Sequence, residues 1–134
     1  MSEIKTDKLT GVGTAGNITV TSEGGAVTMQ LQQGLAKAWA CFDQSTTHTF
    51  NDSFNYSSIT DSGAGFSVTA YTNNFNNDDY SSTGMAGKTG TRVRIDSVGA
   101  SAKSSTGQQL YVSTPVPVGT DGDDCNVTCH GDLA

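Results

Sequence analysis

Two cysteines and a histidine, residue types that bind metals or react with electrophiles, lie close together near the C-terminus in Cys125-Asn126-Val127-Thr128-Cys129-His130. Two thiols and an imidazole this close could bind a metal ion or carry redox chemistry. Their spacing favours another interpretation, because Cys125, Val127 and Cys129 alternate at i, i+2 and i+4 and so share one face of a strand, with His130 on the other. A zinc site would also need a fourth ligand and a turn. We therefore predict small core residues and no metal site.

The same spacing bears on disulfide bonds. Cys125 and Cys129 lie too far apart on one strand to be bridged. Cys41 could reach one of them only from an adjacent strand with its side chain pointing the same way. An odd count of three cysteines in a protein made in the cytoplasm favours free thiols.

Catalytic residues are poorly represented elsewhere in the chain. His48 lies in the polar loop Thr46-Thr47-His48-Thr49, beside no serine or cysteine with an identifiable activating base. Asp121-Gly122-Asp123-Asp124 resembles part of a calcium loop, but the EF-hand spacing and its final glutamate are missing, which favours a solvated turn. A glycan-cleaving pair requires two of the 13 acids to meet in space, whereas nearly all lie in turns or exposed strand positions. We predict no enzyme activity and no cofactor.

Composition and charge exclude two classes of partner. The net charge is −6, whereas nucleic-acid binding needs a concentrated basic face. Arg92 and Arg94 share a predicted strand face near Lys88, and a solvated face is favoured there over a phosphate site. No stretch approaches the roughly 18 apolar residues of a membrane span, and residues 1–10 do not form a signal peptide. We expect no nucleic acid, no membrane insertion and synthesis in the cytoplasm.

The candidate cysteine, histidine and acidic side chains must be positioned by strands, because apolar and polar residues alternate with a period of two along most of the chain. Residues 1–34 are predicted to form a strand-rich attachment and oligomerisation segment with strands Ile4–Leu9, Ile18–Thr21 and Ala26–Gln32. Three short strands with one apolar row cannot close a core, so the row needs a partner. The alternatives are the chain's own sandwich or, as we predict, copies of the chain around a three-fold axis. The residues that would lie between subunits or at the attachment surface are Ile4, Leu9, Ile18, Val20, Val27, Met29 and Leu31.

Residues 35–134 are predicted to form an antiparallel β-sandwich, so the fold class is all-β. Strands recur at the roughly 8–12-residue spacing of a sandwich or barrel. They are predicted at Ala36–Asp43, Phe54–Asp61, Gly65–Tyr71, Tyr80–Ala86, Thr91–Gly99, Gln109–Ser113 and Asp124–Gly131. The prolines Pro115 and Pro117 make Thr114–Val118 an extended connection or an edge.

The alternation also predicts which side chains face the core. In the first strand of the sandwich, one face carries Ala38, Ala40 and Phe42 and the other carries Lys37, Trp39 and Cys41. We further predict inward-facing side chains at Phe66, Val68, Ala70, Val93 and Ile95. Trp39 is predicted to pack, with a stacked-sugar site as the alternative.

Several segments resemble a known class of proteins. The chain is similar to small tail-fibre or fibre-like virion structural proteins of tailed bacteriophages that infect aquatic bacteria, including cyanophages. The resemblance covers both ends and the middle of the chain, in Met1–Gly11, Thr19–Gly25, Leu35–Trp39, Asn51–Asn55, Ser57–Asp61 and Gly131–Ala134. It implies a structural role in the virion and leaves the binding target open.

The sequence therefore predicts a bacteriophage virion structural protein, a homotrimeric tail fibre or tip involved in host attachment. Its partners would be itself, other virion proteins and a host-surface glycan or protein bound weakly and multivalently by sandwich loops. The candidate loops are Gln44–Asn51, Thr72–Asp79, Ala86–Gly90 and Ser101–Gln108. The alternative is a capsid-decorating protein, a cement or head-fibre component whose N-terminal strands pair with shell or neighbouring-subunit edges and which has no receptor role.

Overall fold

A computed structural model describes residues 3–14, 18–21, 24–25, 27–88, 91–96, 102–114 and 118–134, with the backbone alone for 91–96. The chain divides into two compact units, Met1–Leu35 and Ala36–Ala134. The sequence placed the division one residue earlier, after Gly34.

The first unit contains one antiparallel hairpin in its described part. Strand β1 (Thr19–Thr21) pairs with β2 (Thr28–Gln30), and a 3-10 turn at Leu31–Gly34 follows directly. The predicted strand at Ile4–Leu9 was wrong, because residues 3–10 lie outside any strand and are all exposed. The alternation there is present, but a strand needs a hydrogen-bonded neighbour, and none of the described backbone pairs with this segment.

The second unit contains nine strands in its described part, all paired antiparallel. The sheet path runs β4-β3-β11-β7-β8-β10-β6-β5, with β9 pairing β10 off the path. The strands are β3 (Ala38–Asp43), β4 (Thr49–Phe54), β5 (Tyr56–Gly63), β6 (Phe66–Tyr71), β7 (Ser81–Lys88), β8 (Thr91–Asp96), β9 (Lys103–Ser104), β10 (Gly107–Ser113) and β11 (Asp124–His130). The prediction of an all-β, sandwich-like fold is confirmed.

The core lies between the two halves of this path. The buried apolar side chains come from β3 and β11 on one side and from β5, β6 and β10 on the other, joined by two aromatic residues of the β6–β7 connection. They are Ala38, Ala40, Phe42, Tyr56, Tyr71, Phe75, Tyr80, Leu110, Val112, Cys125, Val127 and Cys129. The predicted inward faces of β3 and β11 are therefore confirmed.

The predicted inward face of β6 was wrong. Ser67, Thr69 and Tyr71 are buried, whereas Val68 is 38% exposed and Phe66 only half-buried. Polar side chains take the core positions because each finds a partner there: Ser67 contacts Gln44 and His48, and Thr69 donates to the Gln108 carbonyl at 3.0 Å. A buried hydroxyl with a partner avoids most of the cost of desolvation.

The region after β3 also differs from prediction. Gln44–Asn51 was predicted as a loop, but β4 begins at Thr49 and pairs with β3, with a bulge between Cys41 and Phe42. The predicted strand Phe54–Asp61 is interrupted at Asn55, which adopts a left-handed backbone conformation with φ of 63°. The Asn55 amide stabilises this corner by donating to the carbonyls of Lys37 at 2.9 Å and Asn73 at 3.0 Å.

Some predictions lie outside the described residues. They include the inward-facing side chains of Val93 and Ile95 and the prolines of the Thr114–Val118 connection. At the ends of that connection, Thr114 N donates to Val118 O at 3.2 Å, and Ser113 pairs with Gly119 in an isolated bridge.

Candidate functional site

The residues predicted to mediate assembly are exposed or half-buried within the single chain. Val20 and Met29 lie directly opposite each other in the β1–β2 hairpin and are 43% and 55% exposed. Ile4, Leu9 and Val27 are exposed as well. Ile18 and Leu31 are half-buried, and Leu31 N donates to Ile18 O at 2.7 Å.

The hairpin carries an apolar surface without a core beneath it. Val20, Val27, Thr28 and Met29 line a shallow depression of about 110 Å³. No described residue between 3 and 35 is buried. Because an isolated two-stranded hairpin is marginal in water, this surface is a candidate contact surface. We call Val20, Val27 and Met29 the hairpin patch.

The C-terminal thiols are part of the core, as predicted. Cys125 and Cys129 are fully buried, and all three cysteines are free. The Gln108 amide donates to Cys129 Sγ at 3.4 Å. Burial, with the neighbouring Asp124 carboxylate, raises the pKa of Cys125 from 9.0 to about 12, which keeps this thiol protonated and unreactive at neutral pH.

Cys41 lies on the strand adjacent to β11 but points to the opposite face from the buried thiols. It pairs in register with Asn126, and its Sγ donates to Asn126 Oδ1 at 2.9 Å. The geometric condition for a disulfide with Cys125 or Cys129 is therefore not met.

His48 lies in the β3–β4 connection, as the sequence predicts, but its burial and its partners were not predicted. It is 4% exposed, and Ser67 Oγ lies 2.9 Å from its Nδ1. Its Nε2 lies 3.6 Å from Asp61 Oδ1 and 3.8 Å from Asp121 Oδ1. The contacting residues are 13 to 73 positions away in the sequence, so no local pattern could have revealed them.

Hydrogen bonds connect His48 to Gln44 through Ser67. Ser67 Oγ accepts from Gln44 Nε2 at 2.8 Å and shares a hydrogen bond with His48 Nδ1 at 2.9 Å. The other ring nitrogen, Nε2, faces Asp61 and Asp121. We call Gln44, His48, Ser67, Asp61 and Asp121 the His48 network.

The His48 network contains the residue types of a serine hydrolase, and its hydrogen bonds connect segments that are distant in the sequence. A nucleophilic serine must reach a substrate, whereas Ser67 is fully buried and its oxygen accepts from Gln44. The network joins three segments: Gln44 N donates to Gly122 O at 2.8 Å, and Gly65 N donates to Asp121 Oδ1 at 2.7 Å. These contacts hold the β3–β4 connection, the β5–β6 turn and the segment before β11 together.

Two aspartates of the acidic segment Asp121–Asp124 also accept hydrogen bonds from within the second unit. Asp121 accepts from Gly65, and Asp124 Oδ1 accepts from Asn126 Nδ2 at 3.3 Å. Among the described residues, no group of three histidine, cysteine or acidic side chains is arranged to hold a metal ion.

The candidate binding loops are only partly loops. Gln44 and His48 are buried within the first, and Phe75 is 1% exposed within Thr72–Asp79. Residues 86–88 belong to β7, and β9 and the start of β10 occupy much of Ser101–Gln108, while residues 89–90 and 101 lie outside the described part.

Comparison with known proteins identifies no relative: no protein-family model, curated protein or solved structure matches this chain. In the part of the chain that the structure describes, no helix is long and apolar enough to cross a membrane.

Proposed function

We propose that this protein is a structural protein of a bacteriophage virion, a homotrimeric tail fibre or tip that takes part in host attachment. The observation that carries the proposal is the hairpin patch. Its apolar side chains are exposed, and the described part of the first unit has no buried residue that could form a core. The resemblance of the chain to fibre-like virion proteins supplies the biological setting.

Self-assembly gives the hairpin patch the burial that one chain does not provide. Val20 and Met29 are cross-strand neighbours, so one row of each hairpin can pack against the same row of its neighbours around a closed cyclic axis. Each apolar side chain that becomes fully buried contributes about 1.5–3 kcal/mol. The sandwich, with its own core, is then presented in several copies, which multiplies a weak attachment.

The assembly is tested by native mass spectrometry of the full chain and of variants. We expect a trimer for the unmodified chain and a monomer for Val20→Asp and Met29→Asp, because a carboxylate in the patch would be desolvated on assembly. Val12→Asp is the matched control, since Val12 is fully exposed in the same unit but outside the hairpin. A chain starting at Gly34 should also be monomeric. A monomeric unmodified chain contradicts the self-assembled fibre.

A second candidate, capsid decoration, is favoured by a different observation. Residues 3–10 are exposed and lie outside any strand, so their backbone groups, other than those of Lys8 that bond to the Thr6 hydroxyl, can pair with the sheet edge of another virion protein. The two roles are separated by binding assays with labelled protein. A fibre binds cells of its bacterial host, tested on a panel of aquatic strains, whereas a decorating protein binds mature undecorated capsids.

A further inference from the structure

The outer face of strands β4, β3, β11 and β7 carries two adjacent rows of side chains. The pairing register aligns Phe54, Trp39, Thr128 and Thr83 across the four strands, and beside them Asp52, Cys41, Asn126 and Met85. Directly opposite residues of antiparallel strands point to the same side of the sheet. Arg94 continues the second row in register, and its side chain lies outside the described part.

This face combines aromatic surface with polar groups. Phe54 is 51% exposed and Met85 75%, while Trp39 is half-buried and takes part in no ring contact or side-chain hydrogen bond found in the described structure. On β11 and β7 the face contains a shallow depression of about 330 Å³, lined by Thr83, Gly84, Met85, Asn126 and Thr128. Four strands at about 4.8 Å spacing make each row roughly 14 Å long.

The polar side chains keep unused hydrogen-bonding capacity. Neither the Thr83 nor the Thr128 hydroxyl takes part in a hydrogen bond among the described residues. Asn126 accepts from Cys41 through Oδ1 and donates once to Asp124, which leaves one amide proton for a ligand. Asp52 uses one carboxylate oxygen to accept from the Ser53 backbone, and its other oxygen remains available.

We infer that this face binds a neutral glycan, with a pyranose ring stacked on Trp39 and Phe54 and its hydroxyl groups bonded to Asn126, Thr128 and Asp52. A pyranose presents an apolar C–H face to aromatic rings and a rim of hydroxyls to amide and carboxylate groups. The charged side chains described on this face are carboxylates, Asp52 in the second row and Asp124 beside Asn126, so they complement an uncharged ligand better than a sulfated or phosphorylated one. The inference rests on the proposed attachment role, and it assigns glycan binding to this strand face instead of to the candidate binding loops.

The chain contains a single tryptophan, so the emission of Trp39 reports on this site alone. The probes are neutral tetrasaccharides of glucose, galactose, mannose or N-acetylglucosamine, and a sulfated tetrasaccharide. We expect at least one neutral probe to change the emission saturably and the sulfated probe to bind at least about tenfold more weakly. Phe54→Ser and Asn126→Ala should each weaken neutral binding by about tenfold.

The control is Val68→Ser on the outer face of β6, which is 38% exposed and should bind as the unmodified chain does. Calorimetry with Trp39→Phe, which keeps a ring, should retain measurable binding, whereas Trp39→Ala should lose it. Circular dichroism and the unfolding midpoint of each variant separate lost binding from lost folding.

Three results would overturn the inference: no response to any neutral probe, tighter binding of the sulfated probe, or self-association that is abolished by Phe54→Ser. Different results would contradict the proposed function. Sugar binding by a chain that attaches to no cell contradicts the attachment role alone. Cell attachment that survives Phe54→Ser and Asn126→Ala contradicts only this assignment of the site.

Discussion

Replacing Ser67 with alanine should destabilise the second unit strongly, although the substitution removes a single oxygen atom. Ser67 Oγ is fully buried, accepts from Gln44 Nε2 at 2.8 Å and lies 2.9 Å from His48 Nδ1. Without it His48 Nδ1 loses its hydrogen bond, whereas the Gln44 amide keeps its contact with the Gly65 carbonyl at 3.2 Å.

The expected loss follows from the group that is left without a partner, His48 Nδ1. Such a buried polar group costs about 1–3 kcal/mol, so Ser67→Ala should lower the free energy of unfolding by about 1–3 kcal/mol. That is a substantial share of the roughly 5–15 kcal/mol that stabilises a domain. If the m-value in guanidinium chloride is about 3 kcal/mol/M, the midpoint falls by roughly 0.3–1 M.

Guanidinium unfolding followed by Trp39 fluorescence measures this change. Ser58→Ala is the matched control, because Ser58 is an exposed serine of the neighbouring strand β5 and should change the stability by less than about 0.5 kcal/mol. A double-mutant cycle of Ser67→Ala with His48→Phe should give a coupling of about 1 kcal/mol or more. If Ser67→Ala were as mild as Ser58→Ala, the His48 network would not be the structural element described above.

Two further substitutions and a titration test other features. Gly65→Ala should destabilise the protein by several kcal/mol, because Gly65 has φ of 75° and an added Cβ would lie 2.7 Å from Thr120 N and overlap the Val112 carbonyl oxygen. Gly63→Ala has φ of 123° but open space, so thermal unfolding of the two variants separates steric overlap from backbone strain. Because the pKa of Cys125 rises from 9.0 to about 12 on folding, the folded state holds this proton more tightly, and the free energy of unfolding should fall as pH rises from about 9 towards 12. Unfolding midpoints between pH 8 and 11 measure this fall, which should be smaller in Cys125→Ala; a midpoint independent of pH would contradict it.

The sequence by itself determined the elements in which the two strand faces differ. In β3 and β11 small or apolar residues alternate with polar or larger ones, so the period of two predicted correctly that Ala38, Phe42, Cys125 and Cys129 are buried. The antiparallel, all-β class followed from the same alternation repeated along the chain.

Only the tertiary structure decided the orientation of β6 and the position of His48. Both faces of β6 carry residues suited to a strand, and its core face is chosen because Ser67 and Thr69 find partners there. Those partners are supplied by Gln44, His48 and Gln108, each 19 or more positions away in the sequence. The alternation of apolar residues shows which face of a strand is more hydrophobic and therefore favoured in the core. Whether a polar side chain is buried depends instead on hydrogen-bond partners from distant parts of the sequence, which no local pattern encodes.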